Sequence, residues 1–245
     1  MGRVRHVGSK PVGYRIVEGI LRPWLMLLTK RDWRGGERVR TDGGCIVAMN
    51  HLSWFDPLVA AHFVNDNGRP VRFLAKAEVF RIPLIGRLLR NAGQIPVQRG
   101  TSAAVGSLHA AVEAVQAGAC VVIYPEGTLT RDPNLWPMSA KNGVARIALT
   151  TGAPVIPAAQ WGPQEVIPTY AKKFRILPRK TMHVWAGPPV YLDDLRGQPL
   201  TGTVLTEATT RIMAAITAIL GEIRGEQPPA APLDRSTVIA PGDPR

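Results

Sequence analysis

From residue 45 to residue 224, short apolar runs alternate with stretches whose apolar residues recur every three or four positions. That alternation predicts strands and helices in turn. Cys45-Ile46-Val47-Ala48-Met49 reads as a buried strand, followed by a helix over 58–64. A strand over 71–75 leads to a helix over 78–90, interrupted near Pro83. Next come a strand at 94–98, a long helix at 102–117 and the most apolar strand, 119–124. A helix at 141–150, strands at 154–160 and 182–186 and a closing amphipathic helix at 204–224 complete the series. The rhythm predicts one α/β domain over 41–225, with a mixed, mostly parallel central sheet flanked by helices.

Both ends depart from this pattern. Val12, Ile16, Val17, Ile20, Leu21, Trp24, Leu25 and Leu28 recur at helical spacing within residues 1–40. The same forty residues carry ten Lys or Arg against three acids, which leaves seven of the chain's twelve net positive charges there. A basic helix with a Trp-containing apolar stripe is the pattern of one lying in a membrane interface. The stripe fits equally a helix packed on the protein's own core, so residues 1–40 read as a basic amphipathic arm with both placements open. Beyond 226 the sequence is Pro-rich and without period, so 226–245 is expected to be a disordered tail.

Composition narrows the class. Of 245 residues, 45% are hydrophobic and 20% charged, which excludes wholesale disorder and suits a single sizeable core. The net charge of +12 calls for an anionic partner: nucleic acid, a membrane surface or a phosphorylated substrate. Cys45 and Cys120 fall in apolar runs and read as core residues, not a disulfide. Trp24 to Leu28 is too short a run for a secretory signal core, and no stretch approaches the ~20 apolar residues of a spanning helix. A cytoplasmic protein is expected.

Candidate chemistry sits where strands end. His51 lies in a tight loop between strand and helix, and Asp56-Pro57 is a helix-start pair. A carboxylate folding back onto one imidazole nitrogen leaves the other to remove a proton from a hydroxyl. No second His or Cys lies at metal-ligand spacing around it. Three further strand ends carry polar groups: Gln94-Ile95-Pro96-Val97-Gln98-Arg99, Pro125-Glu126-Gly127-Thr128-Leu129-Thr130-Arg131, and Val155-Ile156-Pro157. Ligands in open α/β sheets collect at such ends. Dinucleotide fingerprints, P-loops, zincin motifs and the serine-hydrolase elbow are absent from the sequence.

Asn50-His51 with Asp56, then Ile-Pro-Val-x-Arg, then Pro-Glu-Gly-Thr, then Val-Ile-Pro, in that order over roughly 45–190, resembles the glycerophospholipid acyltransferase family. The likeness is nearest to the 1-acylglycerol-3-phosphate acyltransferases. It implies acyl transfer from acyl-CoA or acyl carrier protein to lysophosphatidic acid at a cytoplasmic membrane surface, with no metal and no bound cofactor. It implies His51 as base and Asp56 as its orienter, Glu126, Gly127 and Thr128 as an acceptor-binding motif, and Arg99 on the acceptor phosphate. Where the family has an arginine directly after Pro-Glu-Gly-Thr, this chain has Leu129, with Arg131 two residues on. Which arginine meets the phosphate is therefore open, and Lys76 and Lys141 are further cations near strand ends. Glu126 reads equally as a buried structural carboxylate. Two alternatives stand beside this: another hydroxyl acceptor, such as glycerol-3-phosphate or a glycolipid, and a non-enzymatic basic module binding nucleic acid or anionic lipid. The second accounts for the charge but leaves the four motif loops without purpose.

Overall fold

A computed structural model describes residues 10–97, 103–171, 173–235 and 237–238. In chain order its elements are α1 (Val12–Leu28), β1 (Thr29–Arg34), β2 (Cys45–Met49), α2 (Asp56–Asp66), β3 (Val71–Lys76), α3 (Ile85–Asn91) and β4 (Ile95–Val97). Then follow α4 (Ala103–Gln116), β5 (Cys120–Ile123), α5 (Gly143–Thr151), β6 (Val155–Trp161), α6 (Pro163–Val166), β7 (Lys180–Ala186) and α7 (Gly202–Arg224). The described strands form one sheet in the order β1-β7-β6-β2-β5-β3-β4. All neighbours are parallel except β6 and β7, so the sheet is mixed and mostly parallel, as the alternation predicts.

β2 and β5 are buried along their whole length, which explains why they read as unbroken apolar runs: helices cover both sheet faces. The two-residue period sorts their side chains. Val47, Met49 and Val122 face Phe63 and Val64 of α2, together with Tyr14 and Leu25 of α1. Ile46, Ala48, Val121 and Ile123 face Val115 of α4, Ile147 of α5 and Ile212 and Ile216 of α7. Ala48 lies opposite Ile123 and Pro157, so the loops leaving β2, β5 and β6 emerge side by side. That edge carries the candidate site.

Four departures from the sequence reading have physical causes. Residues 29–34, inside the stretch read as an arm, form the edge strand β1 paired with β7. Its composition, Thr-Lys-Arg-Asp-Trp-Arg, conceals it, because edge strands are protected from further pairing by charge. α1 divides its apolar residues between two faces: Tyr14 and Leu25 are buried, while Ile16, Ile20, Trp24 and Leu27 are more than half exposed. Of residues 226–245, expected to be a disordered tail, 226–235 fold back on the loop after β5, where the Ser139 N–H donates to the Leu233 carbonyl at 2.9 Å, while 236 and 239–245 lie outside the described residues. Finally, α7 is long and apolar enough to cross a membrane by length and composition. Its Leu205, Ala208, Ile212, Ile216 and Leu220 are buried, and the helix lies against β6.

Candidate active site

His51 is the second residue after β2, and its main chain is held on both sides. Its N–H donates to Glu126 Oε1 at 3.1 Å, and its carbonyl accepts the Thr130 N–H at 2.7 Å. One residue earlier, Asn50 is sewn to Gln160 of β6. Asn50 Nδ2 donates to the Gln160 carbonyl at 3.1 Å, the Gln160 N–H to Asn50 Oδ1 at 2.8 Å, and Gln160 Nε2 to the Asn50 carbonyl at 2.9 Å. Asn50 enters the sequence motif only as the neighbour of His51, with no role of its own, and Gln160 stands in none of the motifs.

The ring is fixed as firmly as the backbone. His51 Nδ1 lies 2.8 Å from Asp56 Oδ2, and the ring stacks on Tyr124 with centroids 4.2 Å apart and planes at 16°. Tyr124 follows β5 directly and is likewise a residue the sequence reading left without a role. Asp56 is the first residue of α2, with Phe55 in the N-cap position, so its carboxylate does not cap the helix as the Asp-Pro pair suggests. It turns back over the loop, and Oδ2 also accepts the N–H groups of Leu52 and Ser53. Asp56 is fully buried, and among the described residues its Oδ1 has no hydrogen-bond partner. Burial pushes its carboxyl above the ordinary value, opposed by the His51 ring and the two amides.

Glu126 is also fully buried. Its second oxygen, Oε2, accepts the Met138 N–H at 3.0 Å, and burial raises its pKa to about 8. Both of its oxygens thus rest on backbone amides. Gly127 turns the chain at φ +69, a conformation that suits glycine. Thr128 is half-buried on the same turn.

A cavity of about 910 Å³ opens beside the imidazole, between α1, α2, α3 and β3. His51, Tyr124, Gly127 and Lys141 line it together with apolar side chains such as Leu21, Phe73 and Leu89. Arg131 is turned elsewhere: its Nη1 donates to the carbonyls of Arg235 and Val238. Lys76 ends β3. Arg99 lies outside the described residues. Pro157 is within β6, opposite Ala48. Among the described residues no group of three His, Cys, Asp or Glu gathers in a way that would hold a metal ion.

Comparison with known proteins gives one consistent family. The model of the acyltransferase family matches residues 30–161, which begins within β1 and includes β2, the His51 loop and the strands through β6. The chain is 33% identical over 142 residues to the chloroplastic 1-acyl-sn-glycerol-3-phosphate acyltransferase of Brassica napus. That match covers 57% of this chain and 40% of the plant protein, so the chain spans well under two thirds of that relative. It is 27% identical over 148 residues to the 1-acyl-sn-glycerol-3-phosphate acyltransferase of Bacillus subtilis, covering 60% of this chain and 71% of that one. In fold it resembles the crystal structure of the lysophosphatidic acid acyltransferase of Thermotoga maritima, with a TM-score of 0.68 and 22% identity, covering 88% and 81% of the two chains.

Proposed function

The chain belongs to the acyltransferase family, and from that premise we propose that it moves a fatty acyl group from acyl-CoA or acyl carrier protein to the free hydroxyl of 1-acylglycerol-3-phosphate, giving phosphatidic acid. One observation carries the reading: an imidazole held by a buried carboxylate and a stacked tyrosine stands at an apolar cavity. His51 Nε2 removes the hydroxyl proton as that oxygen attacks the thioester carbonyl carbon. Collapse of the tetrahedral intermediate breaks the carbon–sulfur bond, and His51 returns the proton to the departing thiolate. A base so placed contributes on the order of 10²–10⁴-fold. Asp56 fixes the tautomer and steadies the imidazolium that forms. Because a thioester is already activated, no covalent enzyme nucleophile is needed.

The cavity's apolar lining suits acyl chains. Lys141 by its place in the lining, Arg99 by the family resemblance and Lys76 by its place at the end of β3 supply cations for the acceptor phosphate. The exposed stripe of α1, with Trp24 60% and Ile20 59% exposed, suits the interface of an anionic membrane on its cytoplasmic side. The test is purified protein in detergent with palmitoyl- or oleoyl-CoA and four acceptors: lysophosphatidic acid, glycerol-3-phosphate, a monoacylglycerol and a glycolipid. Phosphatidic acid is expected as the main product. A main product from another acceptor reassigns the substrate, and no transfer to any acceptor overturns the reading.

A further inference from the structure

We infer that the C-terminal segment beyond α7 is a strap that positions His51, acting through the loop between β5 and α5. This rests on the proposed acyl transfer only for its effect on rate.

The strap begins where α7 ends. Gly225 at φ +64 reverses the chain, the Glu226 N–H donates to the Gly221 carbonyl at 3.1 Å, and Pro228 crosses Gly221. A Cβ at Gly221 would meet the Pro228 ring at 3.2 Å and the Glu226 carbonyl oxygen at 3.0 Å. Just before the reversal, the Arg224 guanidinium lies over Trp136 at 4.2 Å and Trp161 at 4.6 Å. Its Nη1 donates to the Asn134 carbonyl at 2.7 Å. Further along, the Leu233 carbonyl accepts the Ser139 N–H at 2.9 Å, and the Arg235 N–H donates to Ser139 Oγ at 3.0 Å. The outer side of the loop is therefore gripped at residues 134, 136 and 139.

The inner side of the same loop holds His51 at both backbone polar groups. Trp136 offers its carbonyl to Thr130 Oγ1 at 2.6 Å, and the Thr130 N–H bonds the His51 carbonyl. Met138 donates its N–H to Glu126, and Glu126 accepts the His51 N–H. Two short relays thus run to the imidazole's own residue, one from Arg224 at the end of α7 through Trp136 and Thr130, the other from the strap through Ser139, Met138 and Glu126. The loop has no regular secondary structure between β5 and α5, so it depends on such contacts for its shape. Arg224 and the strap residues touch no reacting atom; they are positioning residues.

The experiment compares the full chain with a form ending at Gly225, with Arg224→Lys and with Ser139→Ala. It measures kcat and KM for lysophosphatidic acid, thermal stability, and amide exchange in peptides containing His51 and Thr130. The truncated chain should exchange faster at those two peptides and lose about 10- to 100-fold in kcat, since a misplacement of ~1 Å can cost 10²-fold. KM should change less than kcat, because the truncation removes no side chain that lines the cavity. A synthetic peptide of residues 226–245 added in trans should restore part of both. Arg224→Lys keeps the charge but not the planar stack, and with Ser139→Ala should show smaller losses of the same kind. Unchanged exchange and unchanged kcat, a rise in kcat, or a loss of stability in all three variants that the peptide does not relieve would each overturn the strap. Absence of turnover in the full chain condemns the proposed reaction instead, and the exchange measurement still decides the strap.

Discussion

At the scale of single residues, His51 is immobilised by groups with separable jobs. Asp56 and Tyr124 hold its ring, while Glu126 and Thr130 hold its backbone. His51→Ala removes the proposed base and should reduce transfer to background with little change in melting temperature. Asp56→Asn should lower kcat by about 10²-fold or more, since an amide neither fixes the tautomer nor stabilises the imidazolium. Full activity in Asp56→Asn, measured beside wild type, would make Asp56 a loop fastener only. Glu126 makes a different prediction. Both of its oxygens accept backbone N–H groups, whereas Gln offers one acceptor and turns a donor toward the other amide. Glu126→Gln should therefore cost ~1–3 kcal/mol at low pH, where the two side chains are both neutral. The pH dependence has a definite sign. Glu126 is raised from 4.5 to about 8 in the fold, so the fold is favoured by the protonated form. That contribution is complete below the unfolded value and is lost as pH rises through about 8, amounting to a few kcal/mol. Asp56 acts in the same direction, while the depressed carboxyls of Asp32 and Asp66 act below the ordinary carboxylate range. Denaturant titrations between pH 5 and 8.5 should show wild type losing stability faster than Glu126→Gln, and parallel curves would refute the burial argument. The pairing of His51 with Asp56 is legible in the sequence because only four residues lie between them. Glu126 is 75 residues from His51 and Gln160 is 110 from Asn50. Their roles exist only once β2, β5 and β6 are neighbours.

At the scale of elements, α1 shows how a periodic stripe can be read correctly and placed incompletely. Tyr14 and Leu25 enter the core, Val17 and Leu21 line the cavity, and Ile16, Ile20, Trp24 and Leu27 face outward. Polar contacts lock the helix to α2. Glu18 accepts Asn65 Nδ2 at 2.6 Å, and Arg22 pairs with Asp66 at 3.0 Å. The stripe is wide enough to supply both the buried Tyr14 and Leu25 and an exposed apolar face. Deleting residues 1–30 as a detachable arm therefore removes a wall of the cavity and the first residues of β1, and it should abolish activity even in detergent. Point changes separate the two faces. Ile16→Glu with Ile20→Glu should release the protein from anionic vesicles while leaving turnover on detergent-dispersed substrate within about twofold. Leu21→Glu, on the inner face, should lose turnover in both settings. Vesicle binding by wild type should weaken with salt, because each basic residue near an anionic surface contributes about 1 kcal/mol of screened attraction. Flotation at low and high salt checks this, and vesicle binding retained by the Ile16/Ile20 pair would place the membrane contact elsewhere. Strand β1 and the C-terminal strap escaped the sequence reading for opposite reasons. The first hides its period under edge charges, and the second has no period and is held by individual hydrogen bonds.

At the scale of the whole molecule, the charge of +12 acts through where its cations sit. A field of this sign attracts both an anionic bilayer and an anionic acceptor, yet only cations at the cavity can distinguish a phosphorylated acceptor from a neutral one. Lys141 lines the cavity beside Gly127. Arg131, the nearest arginine after Pro-Glu-Gly-Thr, instead donates to the carbonyls of Arg235 and Val238. Arg99 enters through the family resemblance. Hydrogen bonds to charged groups are typically worth ~1.5–3 kcal/mol, so Lys141→Ala and Arg99→Ala should each lower kcat/KM for lysophosphatidic acid by roughly 10- to 100-fold. Arg99→Lys should recover only part, because a point charge does not reproduce the two-pronged grip of a guanidinium on phosphate. A monoacylglycerol lacks the phosphate, and its slow rate should barely move in either alanine variant. Arg131→Ala should behave differently, lowering both acceptors in proportion through a displaced loop. The comparison that decides is the ratio of the two acceptors' kcat/KM in each variant. A ratio that falls for Lys141 and Arg99 but not for Arg131 assigns the phosphate to the cavity cations. A ratio that falls for Arg131 alone means that its guanidinium leaves the strap carbonyls for the substrate during turnover.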